Sequence, residues 1–373
     1  MASVSSAVVL YAERQPLAGV SAPGPHQLYR WPRLEIEPRP LGPLLPGDLR
    51  VRMALVGICG TDLHVARADP STGYVLGSVP FDVGPGGRVL GHEGVGCVVD
   101  VGDGVTAFRK GDFVTFESLL SCQTCTACRR GHFNHCTQGR LIGGQVDGLF
   151  RDLVDLPARL AHCVTDLAQS PQGLQAAACA EPAACAYVAA SRAAVRPGHR
   201  VVVLGAGPIG IFAAMICREA FCARVEVVEP LAMRREVVRP WCERAYDVEE
   251  FFAGDPGEPI DVVIEASGAA SNLDRIIDRL GPCASVALLA RTGQPLHVAQ
   301  TDQLITRGIA IFGSRGHLGG AFEDVLRLYR SGRLPLHAAV TGVVDGLDGV
   351  RQALRSDGTF EQRHAKLLAR LDG

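Results

Sequence analysis

Short apolar runs separated by glycine and proline dominate the first half of the chain. Residues 7–10 predict a short strand, and the segment 23–46 contains seven prolines, which predict an irregular connection rather than a helix. Residues 49–56 alternate in part between apolar and polar side chains, as a half-buried strand does. Two more short strands are predicted at 95–102 and 112–116. Together these runs indicate an irregular β domain.

The pattern changes beyond residue 174. Residues 174–194 predict an alanine-rich helix interrupted at Glu181 and Pro182, and residues 200–204 predict a buried strand that leads into a glycine-rich segment. The remaining predicted elements are a helix at 211–220, strands at 224–229, 261–268, 285–289 and 309–314, and a helix at 322–330. This alternation of strands and helices is typical of an α/β doubly wound parallel sheet.

The chain of 373 residues is longer than a single hydrophobic core usually supports, so two domains are expected. We predict a first domain at 1–185, a second at 186–318, and a return to the first at 319–373. The 47% hydrophobic and 20% charged residues indicate a globular protein. A formal net charge of −2 gives no reason to expect nucleic acid or an anionic membrane as a partner.

Neither a membrane span nor a signal peptide is predicted. No apolar run reaches the roughly 20 residues that a spanning helix needs. The first residues lack a basic segment followed by a long apolar block. We therefore predict a cytoplasmic protein, in which the thirteen cysteines are metal ligands or packing residues rather than disulfides.

Four cysteines form the strongest single signal in the sequence. They are Cys122, Cys125, Cys128 and Cys136, spaced as a Cys-x2-Cys-x2-Cys-x7-Cys run. Four thiolates within one short loop can close a tetrahedral site with no open position, and such sites hold a loop together. A zinc ribbon that binds nucleic acid would have many basic and aromatic residues around the cysteines, and this segment lacks them. This pattern predicts a structural zinc ion.

A second group of ligand-type residues has a different character. Cys59, Thr61 and His64 lie in one short segment, and His92 with Glu93 follows about thirty residues later. A thiolate, imidazoles and a carboxylate beside a hydroxyl are what a catalytic zinc needs: ligands, an open position and a route for a proton. The long glycine- and proline-rich loop 66–90 between them is typical of a binding loop or lid.

The glycine-rich segment predicts a nucleotide site. Its glycines are Gly205, Gly207 and Gly210, with Pro208 and Ile209 between the last two. Between a strand and a helix, such glycines let the backbone approach a pyrophosphate at the helix N-terminus. Glu229 follows the next strand and is placed to bind a ribose diol, which favours NAD over NADP. Arg234 and Arg235 follow closely and weaken that preference.

These motifs occur in the order found in a known family. The Cys59–His64 segment, the His92-Glu93 pair, the four-cysteine loop, Glu181-Pro182 and the glycine segment together resemble the zinc-containing medium-chain dehydrogenases. The resemblance covers nearly the whole chain. It implies a GroES-like irregular β-barrel catalytic domain and a Rossmann domain, with the catalytic zinc and the nicotinamide held between them. It also implies a homodimer or homotetramer.

The resemblance implies roles for individual residues. Cys59 and His92 would bind the catalytic zinc, with Glu93 or Glu181 as the third ligand. A thiolate from Cys179 or Cys185 is a minority alternative.

Other roles follow from the same resemblance. Asp62 would orient the ligating imidazole, Thr61 would take the proton of the substrate alcohol, and His64 would pass it outward. Arg234, Leu289 and Ser314 would join the cofactor site.

The expected activity is oxidation of a secondary hydroxyl of a polyol, sugar or cyclitol to a ketone, with NAD as acceptor and two zinc ions per chain. Two alternatives stay open: an NADPH-linked reductase of a carbonyl, and a non-catalytic protein that binds zinc and nucleotide. The sequence departs from the family in a longer proline-rich N-terminal segment, a longer loop before His92, and Arg151-Asp152-Leu153 after Phe150. These departures predict an unusual or larger substrate.

Overall fold

The computed structural model describes residues 4–269, 271–293, 295–298, 301–318 and 320–371. The chain divides into two compact units. The first contains Met1–Glu181, Val340–Phe360 and Lys366–Gly373, and the second contains Pro182–Ala339 and Glu361–Ala365. The second unit thus continues beyond residue 318, where the sequence placed its end.

The strands are β1 (Val4–Arg14), β2 (Tyr29–Pro40), β3 (Asp48–Ile58), β4 (Arg88–Val89), β5 (Glu93–Val101), β6 (Phe113–Phe116), β7 (Leu119–Leu120), β8 (Arg140–Leu141), β9 (Leu153–Pro157), β10 (Ala161–Cys163), β11 (Arg200–Leu204), β12 (Arg224–Val228), β13 (Arg244–Tyr246), β14 (Ile260–Glu265), β15 (Leu280–Leu288), β16 (Ala310–Gly313), β17 (Val340–Asp345) and β18 (Lys366–Arg370). The α-helices are α1 (Gly60–Ala66), α2 (Thr126–Arg129), α3 (Pro171–Ala178), α4 (Ala180–Arg192), α5 (Pro208–Glu219), α6 (Ala232–Val238), α7 (Val248–Ala253), α8 (Ser271–Ile277), α9 (Thr301–Arg307), α10 (Ala321–Arg330), α11 (Gly346–Arg355) and α12 (Thr359–Arg363). Short 3-10 turns lie at Pro25–Gln27, Phe133–His135, Ala158–Leu160, Leu167–Gln169, Arg239–Trp241 and Leu336–Ala339.

Strand β3 is the centre of the larger sheet of the first unit. Along one edge it pairs antiparallel with β5; along the other it pairs with β9 over its first half and with β18 over its last residues. Its final residues are buried, because both edges of the strand are covered. The register places Gly57 opposite Glu93, and Ile58 opposite Leu367. The ends of three strands therefore meet at one place.

The prediction of an irregular connection at 23–46 was wrong in part. Residues Tyr29–Pro40 form β2, which pairs antiparallel with nearly the whole of β1. The sheet order is β2-β1-β4, so β2 is an edge strand. Proline cannot donate to a ladder but is tolerated at an edge, where one side of the strand has no partner strand. This explains how Pro32, Pro38 and Pro40 fit in a strand.

The second unit contains the predicted parallel sheet. Its strand order is β13-β12-β11-β14-β15-β16, and every neighbouring pair is parallel. In the order of the chain this is 3-2-1-4-5-6, the arrangement of dinucleotide-binding folds. The five predicted strands are confirmed. The edge strand β13 was not predicted, because a three-residue strand with polar residues carries too little pattern.

The alanine-rich helix is interrupted, but at Cys179 rather than at the predicted Glu181-Pro182. Helix α3 ends before Cys179 and α4 begins at Ala180. Pro182 lies in the first turn of α4, where its missing N–H has no helical partner to lose. Ser170 caps α3, because its Oγ accepts a hydrogen bond from the backbone N–H of Gly173 at 3.0 Å. Within the residues that the structure describes, we find no helix with the length and apolarity needed to cross a bilayer.

Arg200 provides a test of the second unit. Its Nε and Nη2 each donate to the Glu226 carboxylate at 3.0 Å, and Nη1 donates to the carbonyl oxygen of Pro256 at 2.7 Å. Arg200 is 7% exposed. Arg200→Ala removes a buried guanidinium and its charge-assisted hydrogen bonds to the half-buried Glu226, so we expect a loss of about 2 kcal/mol in the free energy of unfolding, measured with urea. Arg239→Ala, which breaks an exposed ion pair with Glu236, is the control and should change nothing measurable. Equal losses in the free energy of unfolding for the two variants would show that the buried Arg200 contributes no more to stability than the exposed Arg239.

Candidate metal centre and nucleotide site

Cys59 lies at the junction of a buried strand and a short helix. Strand β3 ends at Ile58 and α1 begins at Gly60, so Cys59 takes the N-terminal cap position in an extended conformation. The backbone N–H of Cys59 donates to Oδ2 of Asp62 at 3.1 Å. This hydrogen bond closes the first turn of α1 and fixes the thiol relative to the helix.

Asp62 also binds the segment that supplies His92. Its Oδ1 accepts a hydrogen bond from the backbone N–H of Gly91 at 3.1 Å. Nδ1 of His92 lies 3.6 Å from the same oxygen, which is an electrostatic contact rather than a hydrogen bond. Asp62 is 1% exposed. One buried carboxylate therefore holds both donor segments and leaves Nε2 of His92 available to a metal.

Cys59, His92 and Glu93 form a compact donor group. One ligand atom from each lies within 4.8 Å of the others. Burial is the main cause that raises the pKa of the Cys59 thiol, and the negative charge of Glu93 raises it further. Burial alone would lower the pKa of His92, but Asp62 and Cys59 raise it well above its usual value. A thiolate, an imidazole and a carboxylate fit three ligands of a catalytic zinc, and zinc would displace the protons held here.

Lys366 contacts this group, and sequence reasoning missed it. Its Nζ donates to Oε2 of Glu93 and, at 3.3 Å, to the carbonyl oxygen of Ile58. Lys366 is 0% exposed and Glu93 is 1% exposed. Burial alone would lower the pKa of Lys366, but the negative charge of Glu93 outweighs burial, so the pKa of Lys366 is raised. A Cβ at Gly57 would collide with the Glu93 carboxylate, so glycine is required beside this pair.

The sequence did contain a signal for Lys366. Only two lysines occur in the chain, and one of them lies in the apolar run that forms β18. A lysine in a buried strand requires a carboxylate partner. Its register beside the end of β3 could not be read from the sequence.

Glu181 is not among the three clustered donors. It is buried, and its Oε1 accepts a hydrogen bond from Oγ of Ser118 at 2.7 Å. Cys179 lies in a different environment again, because burial raises its pKa to about 12. Among the described residues, the donor cluster contains Glu93 but neither Glu181 nor Cys179, so the geometry favours Glu93 as the third donor in this arrangement.

Thr61 and His64 lie on α1 beside the donor group. They are three residues apart, so their side chains share one face of the helix. Thr61 is half-buried and His64 is exposed. This placement fits a path from the donor group towards solvent.

The four-cysteine loop is organised as a closed site. Sγ of Cys125 lies 3.5 Å from that of Cys128 and 3.9 Å from that of Cys136, and Sγ of Cys136 lies 3.5 Å from that of Cys122. All four sulfur atoms lie within 4.8 Å of one another. Backbone N–H groups of Cys128 and Thr137 lower the pKa of Cys125 to about 5. The four side chains fit a tetrahedral zinc ion.

The glycine segment connects β11 to α5 at the carboxyl edge of the parallel sheet. Gly205 has a φ of +92°, a backbone conformation that favours glycine. A Cβ at Gly210 would collide with the carbonyl oxygen of Gly205, so the first helical turn can approach the loop only with glycine there. Gly207 precedes α5, and Pro208 with Ile209 begins it. This is the arrangement that binds a pyrophosphate.

Glu229 follows β12 and contacts the glycine segment. Its Oε2 accepts a hydrogen bond from the backbone N–H of Ala206 at 2.7 Å, and its Oε1 accepts one from Leu231 at 2.9 Å. Arg235 donates to the carbonyl oxygens of Glu229 and Pro230, each at 2.7 Å. Arg235 is therefore engaged with this turn.

Arg234, by contrast, lies beside the glycine segment. Its Nη1 would be 3.9 Å from a Cβ built on Gly207. Leu289 and Ser314 directly follow β15 and β16 at the same edge of the sheet. Among the described residues, the buried Oγ of Ser314 has no hydrogen-bond partner. Such an atom fits a site that a polar cofactor completes.

The chain is similar to known alcohol dehydrogenases and related enzymes. The alcohol dehydrogenase GroES-like domain model matches residues 45–166. A scyllo-inosose 3-dehydrogenase of Thermotoga maritima is 31% identical over 333 residues, covering 82% of this chain and 82% of that protein. An L-threonine 3-dehydrogenase of Pyrococcus horikoshii is 29% identical over 328 residues, covering 83% and 87%. A solved structure assigned as an alcohol dehydrogenase, from Thermotoga maritima, has a TM-score of 0.88 at 26% identity and covers 98% of this chain and 100% of that one.

The two donor groups predict separable metal ions. We expect about two zinc ions per chain in the wild type, measured by inductively coupled plasma mass spectrometry. Cys59→Ala should lose one ion and keep the fold, because the four-cysteine loop is independent of it. Cys128→Ser should lose the other ion and lower the thermal midpoint. Two ions retained in Cys59→Ala would contradict the assignment of the first site.

The Lys366–Glu93 pair predicts a compensating double variant. Lys366→Met leaves a buried carboxylate uncompensated, so we expect a loss of about 3 kcal/mol in the free energy of unfolding of zinc-free protein. Adding Glu93→Gln should restore much of that loss, since the carboxylate that lost its partner is then removed. The control is Lys110→Met, at the chain's other lysine, which is exposed and pairs with Asp100. Additive losses in the double variant would contradict the pairing.

Proposed function

Because the chain belongs to the zinc-containing medium-chain dehydrogenases, we propose that it oxidises a secondary hydroxyl of a polyol, sugar or cyclitol-like substrate to a ketone and transfers the hydride to NAD. Family membership carries the coarser conclusion: the protein is an oxidoreductase that acts on alcohols. The observation that carries the proposal is the donor group of Cys59, His92 and Glu93, with the hydroxyl of Thr61 on the adjoining helix.

Cys59 and His92, with Glu93 or Glu181, would hold the catalytic zinc. When bound, zinc supplies a Lewis acid that lowers the pKa of a coordinated hydroxyl. The chain's own residues then handle the proton. The hydroxyl of Thr61 would accept the proton of the substrate hydroxyl as it gives up its own towards His64, which lies on the same face of α1 and is exposed to solvent. Lys366 and Asp62 keep Glu93 and His92 in place during this step.

The residues around the glycine segment favour NAD. Glu229 is 3% exposed, and both of its oxygens accept backbone hydrogen bonds, so its charge is fixed beside the segment. A second anionic group close to it would be repelled, which disfavours the 2′-phosphate of NADP. Arg235 does not offset this effect, because it is engaged with carbonyl oxygens. Arg234 is the residue through which NADP would bind.

The substrate class rests on the names of the relatives. One relative is named a scyllo-inosose 3-dehydrogenase, and scyllo-inosose is a cyclitol derivative. Another is named an L-threonine 3-dehydrogenase, so a secondary hydroxyl is common to both names.

A substrate panel tests the proposal. Purified, zinc-loaded protein would be mixed with cyclitols, aldoses, acyclic polyols, amino alcohols and simple alcohols, each with NAD or NADP. We expect NADH formation with one hydroxyl-rich class. Turnover only with NADPH and ketones would favour the reductase alternative. No turnover in either direction, in protein that holds two zinc ions and binds NAD, would refute the proposed substrate class.

Thr61 provides a test of the proton path. Thr61→Val keeps the shape of the side chain but removes the hydroxyl, so we expect kcat to fall by about 10²- to 10³-fold. Zinc content and NAD affinity should not change, since Thr61 is not among the clustered donors. Thr61→Ser, which retains a hydroxyl, is the matched control and should keep most of the activity. An unchanged kcat in Thr61→Val would remove Thr61 from the mechanism.

A further inference from the structure

Glu265 is a buried carboxylate at the end of β14, and the sites described above do not use it. It is 3% exposed. Its Oε1 accepts three hydrogen bonds: from the backbone N–H of Ser267 at 2.9 Å, from the hydroxyl of Ser267 at 2.6 Å, and from the backbone N–H of Gly268 at 2.8 Å. The hydroxyl oxygen of Ser267 accepts one from the backbone N–H of Ala269 at 3.0 Å. One carboxylate oxygen therefore fixes the turn 266–269.

The turn lies at the surface, although the carboxylate that holds it is buried. Ser267 and Ala269 are exposed. Hydrogen bonds to a carboxylate are stronger than those between neutral groups, so three of them on one oxygen make an exposed turn rigid. The turn follows a parallel strand at the carboxyl edge of the sheet, where ligands of this type of fold bind. A rigid surface at that edge suits a binding site.

One side of the turn packs against the glycine segment. A Cβ at Gly205 would lie 2.8 Å from Cα of Ser267 and 3.0 Å from the carbonyl carbon of Ala266. The two backbones can therefore touch only because residue 205 is glycine. The backbone N–H of Ala266 also donates to the carbonyl oxygen of Leu204 at 2.9 Å. A displaced turn would either push Gly205 away or leave a gap beside it.

The other side of the turn contacts the segment that follows β15. The backbone N–H groups of Leu289 and Ala290 donate to the carbonyl oxygen of Glu265 at 2.9 and 3.3 Å. A Cβ at Gly268 would lie 3.3 Å from Cγ2 of Thr292 and 3.7 Å from Cβ of Ala290. Strands β11, β14 and β15 are neighbours in that order. The turn therefore lies between the glycine segment and Leu289, with contacts to both.

We propose that Glu265 is a positioning residue for the cofactor, which holds the turn 266–269 so that the glycine segment and Leu289 keep the spacing that a dinucleotide needs. This inference rests on the proposed NAD site. A dinucleotide with its pyrophosphate at the glycine segment and its nicotinamide near Leu289 crosses the turn, because β14 lies between β11 and β15. Small displacements of such a surface weaken binding. Glu265 lies beneath the turn and acts through it.

Binding of NADH tests this inference without any substrate. The Kd of the zinc-loaded protein is measured from the fluorescence of NADH, well below the thermal midpoint of each variant. Glu265→Leu removes the acceptor of all three hydrogen bonds, so we expect the Kd to rise about tenfold. Glu265→Gln keeps a carbonyl oxygen that can accept the same hydrogen bonds, so its Kd should rise by less than about threefold. Equal Kd values for the Leu variant and the wild type would overturn the proposal.

Arg200→Ala is the control for a loss of stability alone. Arg200 begins β11 at the opposite edge of the same sheet, so its loss should lower the thermal midpoint and leave the Kd for NADH unchanged. An equal rise of Kd in Arg200→Ala and Glu265→Leu would show that Glu265 is only a structural residue. In steady-state kinetics, Glu265→Leu should raise the KM for NAD about tenfold and keep kcat at saturating NAD within about twofold. A fall in kcat with an unchanged KM would also overturn the proposal.

Ser267→Ala changes an exposed residue and gives a second test that does not alter the buried carboxylate. It removes one of the three hydrogen bonds, so we expect the Kd for NADH to rise about threefold, with no further rise when it is added to Glu265→Leu. Additive effects of the two substitutions would contradict a shared role. A wild-type protein that fails to bind NADH would refute the proposed cofactor site and this inference together. NADH binding by the wild type, with an unchanged Kd in Glu265→Leu, would refute the positioning role alone.

Discussion

Charge compensation inside a buried pocket governs the arrangement of the first unit. Glu93 and Lys366 are almost completely buried, and each is tolerable only because the other is present. Asp62 is equally buried and is compensated by two backbone N–H groups and by the imidazole of His92. A metal ion bound to Cys59 and His92 would add positive charge at the edge of this pocket. The structure thus prepares a site for a cation without leaving an isolated charge.

Strand β3 makes this arrangement possible. Cys59 follows its end, Glu93 begins the antiparallel neighbour β5, and Lys366 begins β18 along the opposite edge. These residues are far apart in the sequence, yet a fixed register brings them together. A shift of one residue would turn each side chain to the other face of the sheet. The long ladder of β3 with β5 and β9 therefore contributes to function as well as to stability, because it prevents such a shift.

Much of the architecture could be predicted from the sequence because its signals are local. The spacing of the four cysteines and the glycine segment between strand and helix each depend on adjacent residues. The predictions failed where long-range context decides the outcome. Prolines 32, 38 and 40 suit a strand only because β2 is an edge strand. Lys366 is acceptable in a buried strand only because Glu93, 273 positions away, lies beside it. Pairing of that kind has no local pattern.

Under the proposed function, the two donor groups would bind the same metal for two different purposes. In the four-cysteine loop, backbone N–H groups lower the pKa of Cys125, and four sulfur atoms fill a tetrahedral site. At Cys59, burial and Glu93 raise the pKa, and the cluster supplies only three donors. Under the proposed function, a fourth position would remain for a substrate oxygen, near the hydroxyl of Thr61. The site with four donors would stabilise a loop, whereas the site with three donors would bind and activate substrate, so the number of donors would decide the role of each site.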